Sequence, residues 1–342
     1  MSAVLEWETS VPIKKIKDVK YFGNLKSEVI DSGLCSHCGT CVAICPVYGI
    51  QWADKPINFP KWEEECLDDG VCVKFCPRVD YKPLNGIGNY TEIVAAKSKR
   101  FEGQDGGMVT EIMASALEMK LIDSAIVVGR DDRWKPKVIV ARSAKMLEDE
   151  KARSSKYSYA DIMPNLRNAL KTAKKPGVVG TPCIVSGQRR LQKGVQLYKR
   201  INLIVSIFCM ENFYYNQITK FLNRKGVEDL TQVKKMDITK GKFIVTMADG
   251  NEITFPVKEM DEIVPSGCKV CQDFTGVESD ISVGSTGSED GFSTVIVRTP
   301  AGKKVIDYIR EKGTAEFGEV SIEAVEKSCN IKIKMHPYPK GG

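Results

Sequence analysis

The segment CSHCGTCVAICP places Cys35, Cys38, Cys41 and Cys45 ahead of Pro46. That is the C-x2-C-x2-C-x3-C-P spacing of a bacterial two-cluster ferredoxin, in which three cysteines hold one 4Fe–4S cube and the fourth crosses to the other. Short loops let three soft thiolates converge on one cube face, and Gly39 allows close backbone approach. A second run, CLDDGVCVKFCP, supplies Cys66, Cys72 and Cys76 before Pro77, with Asp69 in the slot of the second cysteine. The crossover rule assigns Cys35, Cys38, Cys41 and Cys76 to one cluster. It assigns Cys45, Cys66 and Cys72 to the other, with Asp69 as candidate fourth ligand. A carboxylate is a harder donor than thiolate and alters the potential. The alternatives are a three-iron cluster, or a solvated Asp69 with water or another side chain on the fourth iron; ligation by Asp69 is the favoured reading.

Five further cysteines are dispersed. Cys183, in GTPC, and Cys209, in IFCMEN, each follow a strand pattern, and Cys268 and Cys271 form a C-x2-C loop. Strand ends of an α/β sheet meet at one edge, so these four could converge there. A third cluster, a zinc ion and buried free thiols all suit such a set. Cys329 is then the odd residue and reads as an inert thiol. Twelve cysteines in an intracellular chain favour metal over disulfides. The only histidines are His37, which could tune a cluster by hydrogen bonding but is read as an exposed loop residue, and His336; that scarcity argues against haem, multi-histidine zinc and histidine acid–base chemistry.

The elements that must position these residues follow from the pattern. Seven of the cysteines fall within residues 1–85, in short, turn-rich segments. From residue 86 to 342, helical and strand patterns alternate. The expected fold is a bacterial-ferredoxin-like two-cluster module over 1–85, followed by a larger mixed α/β domain, of α+β or α/β class. MVTEIMASALEMKLI has helical spacing. SAIVVG, KVIVAR, KPGVVG, INLIVSIF, DISVGS and STVIVR read as strands. KFIVTMADGNEITFPV reads as a hairpin around Asp249-Gly250, and GKKVIDYIREKG as a helix closed by glycine.

A formal charge of +6 is offset by roughly −2 per bound cubane, so three clusters bring the protein near neutrality and no nucleic-acid partner is expected. No apolar run reaches the roughly 18 residues of a membrane span, and MSAVLEWETSVP lacks a signal-peptide pattern. The expected location is the cytoplasm, either free or held on the cytoplasmic face of a membrane by partner subunits.

The segments GQDGGMVTEIMASALE, SSKYSY, VVGTPC, IFCMENFYY, MDITKGKF and CKVCQDFTGVESDISVGSTGSEDGFSTVIVRT span about residues 90–300. Together they resemble the beta-subunit family of coenzyme F420-reducing hydrogenases and F420 dehydrogenases. The resemblance implies FAD, coenzyme F420 as substrate, and a 4Fe–4S cluster on Cys183, Cys209, Cys268 and Cys271, hence three clusters in all. With the ferredoxin-like extension in front, the chain looks most like the F420-oxidising input subunit of archaeal membrane-bound dehydrogenase complexes. Membrane dehydrogenase subunits or a ferredoxin are then the expected acceptors. The beta subunit of an F420-reducing hydrogenase or formate dehydrogenase, or a sulfite-reductase subunit, is the alternative within the class. A flavin-free iron–sulfur relay and a nucleic-acid protein with structural clusters are the alternatives outside it.

The cofactor residues have physical readings too. Gly106 and Gly107 precede a helix whose first amides could receive phosphate oxygens, with Thr110 as an added donor; a plain turn is the alternative. Lys156 offers a cation, and Ser155, Tyr157 and Ser158 offer donors; a solvated loop is the alternative. Asn212 is placed near the flavin ring, and Lys240 and Lys242 toward phosphate or the anionic deazaflavin tail. Neither a G-x4-G-K-[ST] loop nor a G-x-G-x-x-G fingerprint occurs, so a Rossmann NAD site is not expected. Hydride transfer between cofactors needs no side-chain acid or base.

Overall fold

The computed structural model describes residues 20–52, 62–153 and 155–338; the opening MSAVLEWETSVP and Ser154 lie outside them. The N-terminal region is built from short helices: α1 (Tyr21–Leu25), which runs into a wider π-helical turn over Lys26–Asp31, then α2 (Thr40–Ile44), α3 (Trp62–Glu65) and α4 (Val71–Lys74). Phe22, Leu25, Val29, Val42 and Val73 form its own apolar cluster around the cysteines. Gln51 is the only residue with β-type pairing among the described residues of this region.

The following sheet is central to the molecule. In β2 (Ser124–Arg130), β4 (Pro176–Gly180), β5 (Leu203–Ile207) and β9 (Ile281–Gly284), most residues are buried, as expected of parallel strands covered on both faces. They lie side by side in that order, all parallel. β3 (Pro136–Ala141) closes one edge antiparallel to β2. On the other edge β10 (Ser293–Val297), β1 (Glu92–Ser98) and β11 (Ala315–Gly318) add antiparallel, completing eight strands. The strands read from sequence are present; β1 and β11 were not among them.

Successive strand side chains point to opposite faces, and the two faces have different coverings. Ala125, Val127, Val205 and Val283 meet α5 (Met108–Glu118) and α9 (Pro300–Lys312). Ile126, Val178 and Ile204 meet α6 (Ile162–Ala169) and α7 (Pro182–Gly194). Each fully buried aliphatic side chain contributes about 1.5–3 kcal/mol, which anchors the strand ends that carry cysteines. α9 shows how local chemistry sets the limits. Thr299 Oγ1 accepts the Gly302 amide at 3.3 Å, Pro300 starts the first turn, and Gly313 ends the helix at φ +63°.

A separate three-stranded antiparallel sheet, β6 (Val233–Thr239), β7 (Lys242–Met247) and β8 (Glu252–Pro256), packs with α8 (Tyr215–Arg224) around Phe221, Phe243 and Phe255. Its β7–β8 turn is the expected hairpin, with Gly250 at φ +89°. The last helix, α10 (Ile322–Met335), opens on a Ser321 cap. The ferredoxin-like region seats on α6 and α7: Phe75 and Ala43 join their core, and Tyr198 donates to the Ala43 carbonyl at 2.9 Å. No described helix is long and apolar enough to cross a membrane.

Candidate functional site

The two cysteine runs share a backbone pattern. Gly39 (φ +79°) and Gly70 (φ +71°) precede α2 and α4 in the left-handed region, and His37 (φ +55°) and Asp68 (φ +58°) adopt it two residues earlier. Asp69 therefore occupies the position in its loop that Cys38 occupies in the other, and Cys72 matches Cys41. Asp69 lines a small pocket with Cys45, Cys66, Cys72, Phe22 and Ile50. Its Oδ1 accepts the Val71 amide at 3.2 Å. The loop is pinned from α1, where Asp68 accepts the Tyr21 amide at 2.8 Å and Lys20 donates to the Cys66 carbonyl at 2.9 Å. Burial, together with Cys66, Cys45 and Asp69, pushes the Cys72 thiol up to about 12.

Cys35, Cys38, Cys41 and Cys76 form a second neighbourhood. Burial pushes Cys41 well above its ordinary value, and Cys38, Cys76, Cys35 and, from the neighbouring set, Cys72 push it further. Cys35 is pushed up to about 12 and Cys76 to about 11, in each case chiefly by burial.

The third neighbourhood lies at the carboxyl ends of parallel strands. Cys183 is in the first turn of α7 after β4, and Cys209 follows β5. The Cys268–Cys271 turn, closed by the Cys271 amide on the Cys268 carbonyl at 2.9 Å, comes up beside them. Cys183 feels Cys38, Cys271 and Cys209; Cys209 feels Cys268 and Cys271 and is pushed up to about 12, chiefly by burial. The three sets are thus consecutive: Cys183 neighbours Cys38, and Cys41 neighbours Cys72. Among the described residues no three Cys, His, Asp or Glu side chains stand close enough to hold a single metal ion. Sets made up of soft thiolates suit iron–sulfur cores. Cys329 packs among Ile87, Phe274, Ile296 and Val325, as an inert thiol does.

Charged groups that the sequence reading did not single out surround the third set. Lys332 of α10 is 1% exposed and donates to the carbonyls of Cys209 at 2.5 Å and Asp273 at 2.8 Å. His336 is buried between the Cys271 carbonyl and Glu211, each at 2.9 Å. Tyr159 OH lies 3.1 Å from Cys268 Sγ, and Thr181 Oγ1 3.3 Å from Cys183 Sγ. Burial pushes the Cys271 thiol up, yet Lys332 and Arg78 outweigh it and hold that thiol below its ordinary value. His37 is half-buried, not exposed: Nδ1 lies 3.7 Å from Cys35 Sγ and 3.1 Å from Tyr214 OH.

The cofactor candidates divide into groups. Gly106 and Gly107 are held by close approach: a side-chain carbon on Gly106 would meet the Ala96 carbonyl at 2.3 Å, and one on Gly107 the Phe101 carbonyl at 2.1 Å. They set the entry to α5, where Thr110 is half-buried. From the same loop, Gln104 donates to Asp237 at 2.5 Å and Tyr157 at 3.3 Å, while its Oε1 is buried without a partner. A buried orphan acceptor fits a ligand that offers an N–H. Burial and the nearby Asp237 push Asp105 up to about 6, with Asp290 of the GSTGSEDG loop adding to it. Ser155 bonds Tyr157. Ser158 pairs with Phe213, and Asn212 Oδ1 accepts the Phe213 amide at 2.9 Å. The SSKYSY and ENFYY segments therefore run together beside Cys268. Lys240 and Lys242 stand exposed at the β6–β7 tip, away from these contacts.

Lys156 is drawn inward, donating to the carbonyls of Val128 and Arg153. Burial and the Arg130 charge push its ammonium down to about 7. Below pH 7 the folded and unfolded chains both hold that proton, and the full cost of the buried charge is present. Between pH 7 and the unfolded value of about 10.4, the unfolded chain binds one proton more, so stability rises with pH. Wild-type stability relative to Lys156→Met is expected to increase by a few kcal/mol from about pH 6 to about pH 9. Denaturation midpoints of the two proteins, compared across that range, check it; a constant difference refutes the buried, depressed lysine.

Residues 173–323 match the family model for the C-terminal part of the coenzyme F420 hydrogenase/dehydrogenase beta subunit. Residues 93–167 match the model for the N-terminal part of the same family, and residues 27–77 a 4Fe-4S dicluster domain. An F(420)H(2) dehydrogenase subunit of Methanosarcina mazei is 32% identical, over 90% of this chain and 92% of that protein. The coenzyme F420-dependent sulfite reductase of Methanocaldococcus jannaschii is 37% identical over 90% of this chain, which spans only 50% of that longer protein. Among solved structures, a chain of the F420-reducing NiFe hydrogenase complex from Methanosarcina barkeri aligns with a TM-score of 0.70 at 33% identity, covering 73% of this chain and 91% of that one.

Proposed function

The chain belongs to the coenzyme F420 hydrogenase/dehydrogenase beta-subunit family, and from that premise we propose that it oxidises reduced coenzyme F420 and passes the electrons to a partner through three iron–sulfur sites. When bound, FAD supplies the conversion: one hydride arrives from the coenzyme, two electrons leave singly through the clusters, and one proton is released. The observation that carries this reading is a junction. The SSKYSY and ENFYY segments pair through Ser158 and Phe213, and Tyr159 of the first reaches Cys268 at 3.1 Å. A group held by those segments lies beside the third thiolate set.

In this reading Cys183, Cys209, Cys268 and Cys271 hold the cluster nearest the flavin. Cys35, Cys38, Cys41 and Cys76 hold the next, and Cys45, Cys66 and Cys72 with Asp69 the last. Gln104, Tyr157 and Asp237 bind and orient the flavin in the cleft between the large and small sheets; Arg130 and Arg153, each with a buried Nε lacking a partner, offer charge toward its phosphates. The chain divides functionally near residue 85. The last set is flanked by Leu67 and Tyr48, 65% and 50% exposed, and there the acceptor docks. That acceptor belongs to a membrane-bound dehydrogenase complex or is a ferredoxin; kinship to hydrogenase and sulfite-reductase proteins keeps those partners as the second reading.

Anaerobically prepared protein with its iron intact tests the reading. Reduced coenzyme F420 is expected to bleach both a flavin band and the iron–sulfur absorption, whereas NADH does neither. Fully iron-loaded protein with no recoverable flavin sinks it. Capture of partners from native extract separates the acceptors.

A further inference from the structure

Arg78 directly follows Cys76-Pro77 and is 4% exposed. A buried charge without a partner is costly, and among the described residues no carboxylate forms an ion pair with this one. Its backbone amide donates to Cys76 Sγ at 3.4 Å. Its Nη2 reaches across to the Gly267 carbonyl at 3.4 Å, next to Cys268, and its guanidinium lies 4.0 Å from the Tyr81 ring centroid. Nη1 is buried with no hydrogen-bond partner. The approach of the two loops is backbone-tight, since a side-chain carbon on Gly267 would meet the Cys35 carbonyl at 2.0 Å. The side chain thus starts at a sulfur of one thiolate set and ends at the turn that carries another.

We propose that Arg78 is a fixed cation shared by two cluster sites, that of Cys35, Cys38, Cys41 and Cys76 and that of Cys183, Cys209, Cys268 and Cys271, and that it raises both reduction potentials together. The inference rests on the cluster assignment proposed above. Each electron that moves between the sites shifts one negative charge from one side of the guanidinium to the other. A cation in contact with both favours the reduced form of each and keeps the step between them nearly level. A guanidinium is protonated throughout the working pH range, so the charge is fixed. Among the described residues the contacts of Arg78 are with Cys76, Gly267 and Tyr81, and none is with Cys45, Cys66, Cys72 or Asp69.

The test is an EPR-monitored potentiometric titration of full-length, anaerobically prepared protein, with iron and sulfide analysis. Arg78→Gln is expected to move two of three midpoints negative by at least about 59 mV, tenfold in a one-electron equilibrium, with the remaining midpoint unmoved. Arg78→Lys is expected to recover most of that shift. Full iron content with unmoved midpoints overturns the proposal, as does an equal shift at all three. Should Arg78→Gln fail to retain iron, Tyr81→Glu decides, because it leaves the arginine in place and sets a carboxylate against it: the same two midpoints fall, or the proposal is wrong. Wild-type protein that lacks iron at these sites fails the cluster assignment instead, so the two failures are distinct.

Discussion

Replacing Cys268 and Cys271 together with alanine is expected to separate the two halves of the reaction. Both residues belong to one turn, both lie against Cys209, and Cys271 lies against Cys183 as well, so their loss removes half of the proposed donors of one cluster. Iron content is expected to fall from about twelve to about eight atoms per chain. Reduced coenzyme F420 should still bleach the flavin, since Gln104, Tyr157 and Asp237, the proposed flavin residues, are joined through Gln104 and not to the turn. Reduction of the ferredoxin-like clusters by the coenzyme should slow by more than about 100-fold, because losing even an outer-shell partner of a metal ligand costs 10–100-fold. Rapid-mixing absorbance at the flavin and cluster bands reads both legs in one experiment. If the remote clusters fill at the wild-type rate, the third set is not on the route. The loss is not expected to unfold the domain, whose sheet is anchored by Ile126, Val178, Val205 and Val283.

How much of this could be read beforehand depends on distance along the chain. The two cysteine runs were legible because their geometry is local: two or three intervening residues fix where each thiol points. The convergence of Cys183 and Cys209 was legible as a consequence of parallel strands, whose carboxyl ends share an edge; the structure places both there. The reading of those four cysteines as cluster ligands, however, came from resemblance to a family and not from spacing. The hairpin around Gly250 and the glycine-closed helix α9 were likewise written in local turn chemistry.

What escaped was long-range polar complementarity. Lys332 lies 123 residues from Cys209, in a helix whose KIK segment reads as a solvated face, and lysine is rarely buried without a partner. The carbonyls of Cys209 and Asp273, which accept from its ammonium, are what make the exception. His336, 65 residues from Cys271, has no sequence context that announces it. Arg78 lies one residue past the matched dicluster domain, and its role depends on Gly267, which no periodicity could bring beside it. His37 was taken for an exposed residue because its loop is polar; Tyr214, 177 residues away, covers it. The hinge between the regions near residue 85 is similarly blurred, because Asn85 bonds Gln272 at 3.2 Å.

Asp69→Cys is expected to convert the last site into an all-thiolate cluster without disturbing its loop. The backbone is already suited to cysteine, since Asp69-Gly70-Val71-Cys72 repeats the conformation of Cys38-Gly39-Thr40-Cys41, with both glycines and the residues two before them in the left-handed region. Thiolate donates more electron density to iron than carboxylate does, so the reduced cluster is disfavoured. The midpoint of this one site should move negative, on the order of 50 mV, close to tenfold in a one-electron equilibrium. Lability should change as well. Asp69 is exposed, and a hard, solvated oxygen donor releases its iron more readily on oxidation than a thiolate. Air-exposed wild type should therefore show a three-iron EPR signal and about eleven irons, while the cysteine variant retains about twelve. Identical EPR, iron content and potential in the two proteins would remove Asp69 from the coordination sphere. The exchange also bears on direction. An oxygen-ligated terminal site has the higher potential of the two forms, and it draws electrons toward the face where Leu67 and Tyr48 are exposed. The cysteine variant should then deliver electrons to the acceptor more slowly while the coenzyme-driven bleaching of flavin keeps its rate.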